Sequence, residues 1–361
     1  MLRLAAILTA LSVSQAAYAQ ITGAGATFPA PVYTSWAAAY SKQAQVPVTY
    51  AGVGSGEGLK QIISGAVDFG ASDAPLSAED VAKHGLVQFP TLVGGIVPVV
   101  NLPGVKAGAL RLDGEVLAQI FLGRITAWNA PQIQALNPNV KLPRLPIKRV
   151  VREESSGTTA GFTKYLAAAS PEWAKELGSG LQVRWPGTVI TGRGNDGVSA
   201  KVKENEGSVG YVGYNIAVKQ ELAYTQLRNR DARFVAPSED AFAAAVRASG
   251  LSKNPQQIPS LIDQTGAATW PIAETTYILV PRNAKDAQRA KATMKFLYWV
   301  FLQGDDMANG TGFAPLPSQV QAKVVSLFRE IRDADGKPID YMTGGEPLRF
   351  AASDAGLAAA Q

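Results

Sequence analysis

The chain has 361 residues, 47% hydrophobic and 17% charged, enough for two folded domains and unlike a disordered or fibrous chain. It has no cysteine and one histidine, His84, which excludes disulfides, thiol nucleophiles, cysteine zinc sites and histidine metal clusters. The net charge of +5 comes from Lys and Arg in runs no longer than two, so the surface is mildly basic and no nucleic-acid partner is expected.

The N-terminus, "MLRLAAILTALSVSQAAYAQ", places Arg3 before an apolar stretch and Ala17-Tyr18-Ala19 after it. That order is a secretory signal peptide, with cleavage expected after Ala19. Only Arg3 is lost among the charged residues, so the net charge falls from +5 to +4. No cysteine follows the cleavage point, so no lipoprotein anchor is expected. No later segment has the apolar length of a membrane span. A soluble protein of the bacterial periplasm is expected, stable without disulfides.

Strand and helix patterns then alternate. "TGAGATFPAPVY" (22–33) leads from small residues through Thr27-Phe28 into a helix carrying Val32, Trp36 and Tyr40. Proline early in a helix costs little, because first-turn N–H groups lack intrahelical partners. Strands are predicted at 46–53, 67–72, 94–102, 146–153, 209–214 and 274–281. Helices are predicted at 58–65, closed by Gly65, at 114–123 and at 290–304. The small-residue tail at 342–361 is expected to fray or to form a weak helix. Such alternation predicts an α/β fold with largely open sheets. There is no internal repeat and no low-complexity linker, so two domains would require a chain that crosses between lobes more than once.

Three segments share one form: a strand, then small or hydroxyl residues, then a helix. They hold Thr27 and Phe28, then Ser55 in "AGVGSGEGLKQII", then Ser156-Gly157-Thr158 in "VVREESSGTTAGFTKYL", where Arg152 ends the strand. Taken singly, each reads as helix capping. Together with Arg152 they read as an anion cradle, because helix N-termini offer free N–H groups and partial positive charge. Neither a Walker A loop nor a strict nucleophile elbow is present, since Val53 stands where the elbow needs glycine.

Asp73, in "DFGASDAP", sharpens the chemistry. It either caps the turn before Pro75 or accepts a proton from the ligand. Phosphate keeps a proton at neutral pH, whereas sulfate has none to give. Two further motifs read as structural. "DADGKPID" (333–340) is similar to a calcium loop but lacks its third acceptor and terminal Glu, so a turn is expected. "GRGNDGV" (192–198) is expected to cap the next helix through Asn195 or Asp196, with at most a supporting role in the cleft. His84, in "VAKHGL", is expected to cap a helix end.

"TGAGATFPAPVY", "QIISGAVDFGASDAPLS", "FPTLVGGIVPVVNLPG" and "GNDGV…GSVGYVGY" together resemble the periplasmic phosphate-binding protein of the high-affinity phosphate ABC transporter, from about residue 21 to about 341. The resemblance implies a two-lobed type II periplasmic-binding fold that closes on dehydrated phosphate. It implies lobe 1 at 20–95 and 280–361, lobe 2 at 102–273, and hinge crossings at 96–101 and 274–279. Matched position by position, it implies phosphate contacts from Thr27, the Phe28 backbone N–H, Ser55, Asp73, Arg152, Ser156, Gly157 and Thr158. Glu154 stands where the family has an Asp that partners the binding Arg. Glu57 departs from the pattern by adding negative charge beside Ser55. The implied partners are inorganic phosphate and a membrane permease, with a monomeric, non-catalytic receptor and no cofactor. The alternatives are a receptor for another oxyanion, an adhesin of the same fold, or a secreted phosphatase using Ser55 or Ser156, which would lack both a histidine base and a metal cluster.

Overall fold

The computed structural model describes residues 20–251 and 259–342. The expected signal peptide (1–19), and all of the 342–361 tail except Met342, lie outside the described residues.

The chain begins with two β-α-β units: β1 (Ile21–Gly25), α1 (Ala30–Ala44), β2 (Val48–Gly52), α2 (Ser55–Ser64) and β3 (Phe69–Ser72). α1 buries Val32, Tyr33, Trp36 and Tyr40. α2 ends at Gly65 in the left-handed conformation that a side chain would strain. α3 (Ala78–Lys83) is capped by Ser77, and the exposed His84 closes it through its backbone. The next elements are β4 (Leu86–Val100), β5 (Arg111–Leu112), α4 (Gly114–Phe121), α5 (Pro131–Leu136) and β6 (Lys148–Arg152). In α4, Asp113 accepts from the Val116 N–H at 2.9 Å, and Val116, Leu117, Ile120 and Phe121 are buried. Each such side chain contributes roughly 1.5–3 kcal/mol through burial.

α6 (Gly157–Ala169), α7 (Pro171–Glu176), β7 (Ile190–Gly192), α8 (Gly194–Glu204), β8 (Ser208–Gly213) and α9 (Tyr214–Lys219) come next. The short strands β9 (Ala223–Tyr224), β10 (Gln226–Arg228) and β11 (Phe234–Val235) lead to α10 (Glu239–Ser249). β12 (Ala273–Pro281), α11 (Ala287–Ala308), β13 (Phe313–Pro315) and α12 (Ser318–Leu327) complete the named elements. After them, the Asp333 carboxylate accepts from the N–H groups of Asp335 and Lys337, which makes "DADGKPID" a turn.

The main sheet runs β2-β1-β3-β12-β4-β8-β6-β7, with β13 and β9 also pairing β4. β1, β2 and β3 are mutually parallel, and so are β6, β7 and β8. Between the two sets lies the long antiparallel pair β4–β12. This pair reverses the sheet, so the two parallel sets run in opposite directions. β4 and β8 are buried at nearly every position, as strands covered on both faces must be.

β4 starts at Leu86, eight residues before the predicted 94. Pro90 reads locally as a strand breaker. The sheet accommodates it where the register shifts between Thr276 and Tyr277, next to Thr91. α2 likewise starts at Ser55, three residues before the expected 58. Gly54, at φ 98°, turns the chain directly into the helix, so Ser55 lies inside the first turn rather than ahead of it.

Candidate functional site

Opposed strand directions bring the carboxyl ends of both parallel sets together, the place where α/β folds bind ligands. Thr27 and Phe28 follow β1, Ser55 follows β2 and Asp73 follows β3. Arg152 ends β6, Gly194-Asn195 follow β7, and Asn215 follows β8.

The sequence places α2 and α6 end-on to this junction. Ser156 caps α6, its hydroxyl accepting from Thr159 N–H at 3.2 Å. Ser55 Oγ accepts from the N–H groups of Asp73 (3.2 Å) and Gly157 (3.1 Å), which ties the two halves together. A hydroxyl that accepts twice keeps its own O–H free to donate. Gly157 has to be glycine. A Cβ there would lie 2.5 Å from Ser55 Oγ and 2.6 Å from Asp73 Cβ.

Arg152 is 5% exposed. Its Nε donates to Glu154 Oε1 at 2.9 Å, its Nη2 donates to the same oxygen, and its Nη1 donates to Thr158 Oγ1 at 3.2 Å. That engages three of the five guanidinium N–H groups and leaves two for an anion. Glu154 therefore pairs Arg152, where the resemblance leads one to expect an Asp. Its carboxylate also accepts from Gly194 N–H at 3.1 Å. Tyr211 steadies the strand end, with its hydroxyl accepting from Arg152 N–H at 3.3 Å. The Tyr211 ring stacks on Phe162 at 4.3 Å.

Asp73 is 1% exposed and its Oδ1 has no hydrogen-bond partner among the described residues. It does not cap the turn. Ser72 does so, its hydroxyl donating to Ala74 O at 2.6 Å. Burial pushes the Asp73 pKa up to about 7, against the opposing pull of the Thr276 hydroxyl and of Arg152. Phe28 is fully buried, its ring edge-on to Phe313 and wedged against Gly94 and Gly213, which fixes its backbone. Glu57 faces solvent instead, accepting from Gln61 at 3.0 Å and lying 3.9 Å from Lys60. A cavity of about 740 Å³ opens nearby, lined by Thr27, Gly52, Glu154, Arg193 and Asn195 among others. Ser55, Asp73 and Arg152 do not line it and are buried.

Asn195 does not take the capping role that its local spacing predicts. α8 starts at Gly194, so Asn195 lies inside its first turn, and the residue at the cap position is Arg193, whose side chain has no acceptor to offer. Asn195 instead reaches across to Thr27, and Asp196 accepts from Gln220 at 3.1 Å. Thr27 does not cap α1 either. A second buried carboxyl, Glu274 on β12, reads in the sequence only as part of a strand. Its Oε1 lies against Gly161, where a Cβ would come within 2.4 Å, and its Oε2 has no hydrogen-bond partner among the described residues. Burial and the nearby Asp73 push its pKa well up, with Lys164 opposing. The signal for it is a charged residue opening an apolar strand, "ETTYILVP". Among the described residues, no group of acidic and histidine side chains could hold a metal, and no helix is long and apolar enough to cross a membrane. Backbone donors, a fixed guanidinium and one lone acceptor suit a tetrahedral oxyanion that carries a proton.

A family model described as the PBP superfamily domain matches residues 12–303. The phosphate-binding protein PstS of Pasteurella multocida is 43% identical over 320 residues, covering 88% of this chain and 93% of that protein. Its counterpart in Haemophilus influenzae is 42% identical over 309 residues, covering 86% and 92%. Among solved structures, a high-affinity periplasmic phosphate-binding protein (PfluDING) bound with phosphate aligns at TM-score 0.67 and 21% identity, covering 86% of this chain and 94% of that one. At that identity the likeness shows the type II periplasmic-binding fold alone. The sequence relatives show more: with 43% identity over most of both chains, this chain belongs to the family of the phosphate-binding proteins PstS, within the PBP superfamily.

Proposed function

We propose that the protein is a non-catalytic periplasmic receptor that captures inorganic phosphate between two lobes and delivers it to the permease of an ABC transporter. The lobes are residues 20–95 with 280–361, and 102–273, hinged at 96–101 and 274–279. The ligand is held by Thr27, the Phe28 N–H, Ser55 and Asp73 from one side, and by Arg152, Ser156, Gly157 and Thr158 from the other. Glu154 holds Arg152 in place. Export follows cleavage after Ala19, and the receptor acts as a monomer.

One observation carries this reading. Asp73 presents a buried carboxylate oxygen without a partner, among the N-termini of α2 and α6 and close enough to Arg152 to feel its charge. Above about pH 7, where this carboxyl is ionised, it only accepts, and an acceptor in an anion site suits a ligand that brings a proton. The PstS name of the relatives supports phosphate. The phosphatase alternative is disfavoured because the chain's one histidine, His84, is exposed at the end of α3, whereas Ser55 and Ser156 are both buried. Calorimetric titration of the mature protein at pH 8, where Asp73 is ionised, with phosphate and with sulfate tests the reading. Saturable 1:1 binding of phosphate alone is expected, and equal affinity for both anions would refute it.

A further inference from the structure

Asn195 is 1% exposed and bridges the two halves of the sheet. It lies in the first turn of α8, after β7, while Thr27 follows β1. Its Nδ2 donates to Thr27 Oγ1 at 2.8 Å, and its Oδ1 accepts from Gly213 N–H at 3.0 Å. The Gly213 bond leaves no ambiguity about which end of the amide is oxygen, since a backbone N–H can only donate. Thr27 Oγ1 is therefore held as an acceptor on its Asn195 side. Its own O–H must point elsewhere.

We propose that Asn195 is a positioning residue for the anion site: it orients the Thr27 hydroxyl as a donor toward the ligand and latches the cleft shut from the opposite half. The inference rests on the receptor reading above. Three neighbouring contacts support it. Gly194, at φ 68°, places its N–H on Glu154, the residue that holds Arg152. One turn thereby fixes Arg152 through Glu154 and Thr27 through Asn195. A Cβ on Gly194 would already lie 3.5 Å from Thr27 Cγ2, so the two halves are in contact at this point. Asn215 repeats the crossing, with its Nδ2 donating to Phe28 O at 3.3 Å. Thr27 and Phe28, consecutive residues of one half, are each bound by an asparagine of the other.

The inference separates orientation from bulk. A hydroxyl preset as a donor avoids the loss incurred when it must choose between ligand and protein partners. An amide–hydroxyl bond lost from a buried site lowers affinity about three- to tenfold. Because Asn195 acts through Thr27, its effect should vanish once the Thr27 hydroxyl is gone. A merely structural role would persist without it.

The test is a double-mutant cycle on phosphate affinity and release rate, using Asn195→Ala, Thr27→Val and the double variant of the mature protein. Asn195→Ala is expected to weaken phosphate binding about three- to tenfold, chiefly through faster release. In the Thr27→Val background the same change should alter affinity by less than about twofold. Equal factors in both backgrounds would overturn the inference while leaving the receptor reading intact. Failure of the unaltered protein to bind phosphate would overturn both. If Asn195→Ala does not fold, the cycle run with Asn195→Ser decides by the same criterion.

Discussion

Replacing Asp73 by Asn removes one charge and almost no volume, so it separates electrostatics from packing. The side chain is 1% exposed, its Oδ1 lacks a partner, and burial lifts its pKa from 3.8 to about 7. A carboxyl whose folded pKa lies above its unfolded value weakens the fold as it ionises. The penalty is absent below about pH 4, grows from there to about pH 7, and is complete above that. A displacement from 3.8 to about 7 corresponds to roughly 4 kcal/mol. Asp73→Asn should therefore be more stable than the unaltered protein at pH 8, by up to about 4 kcal/mol, and equal to it near pH 4. Urea unfolding at the two pH values measures the difference. The same substitution should erode selectivity. Phosphate can donate a proton to the carboxylate, whereas sulfate sets one acceptor against another at a cost of about 1–3 kcal/mol, or roughly five- to 150-fold. The amide offers sulfate a donor and still offers phosphate an acceptor. Titration at pH 8 should show a modest loss for phosphate and a relative gain for sulfate. A stability difference that ignores pH, together with an unchanged anion ratio, would refute the reasoning.

Arg152→Ala should weaken phosphate and sulfate alike by at least about a hundredfold, since two charged hydrogen bonds are lost from a buried site; calorimetry with both anions would show whether the ratio holds. Gly157→Ala should keep α6 helical, as alanine is the better helix former, yet abolish phosphate binding, because its Cβ would meet Ser55 Oγ at 2.5 Å. Circular dichroism and titration separate these two effects, and retained affinity would mean that the halves need not approach so closely. Phosphate should also shrink the radius of gyration by drawing the lobes together, and superimposable scattering curves with and without it would count against hinge closure.

Much of this protein is legible in its sequence, because the rules that make its elements are local. β6, β8 and β12 announce themselves by β-branched and aromatic runs, and α6 by its Ser156 cap. Asp73 stands out as a carboxylate at a strand end beside an anion site. The family motifs, spread along the chain, imply the remaining contacts. What stays hidden depends on partners far away in sequence. Pro90 breaks a strand locally, and only pairing with β12 and its register shift rescue it. Asn195 looks like a helix cap because sequence spacing cannot show that α8 already starts at Gly194, with Arg193 at the cap position. Nor can it show that Thr27, 168 residues away, lies within 2.8 Å. Glu274 passes as a strand residue because nothing local places it against Gly161 and near Asp73. The sequence by itself determined the elements and the donors and acceptors at their ends. Only the tertiary structure decided that these ends meet, because the antiparallel β4–β12 pair turns two parallel sets head to head.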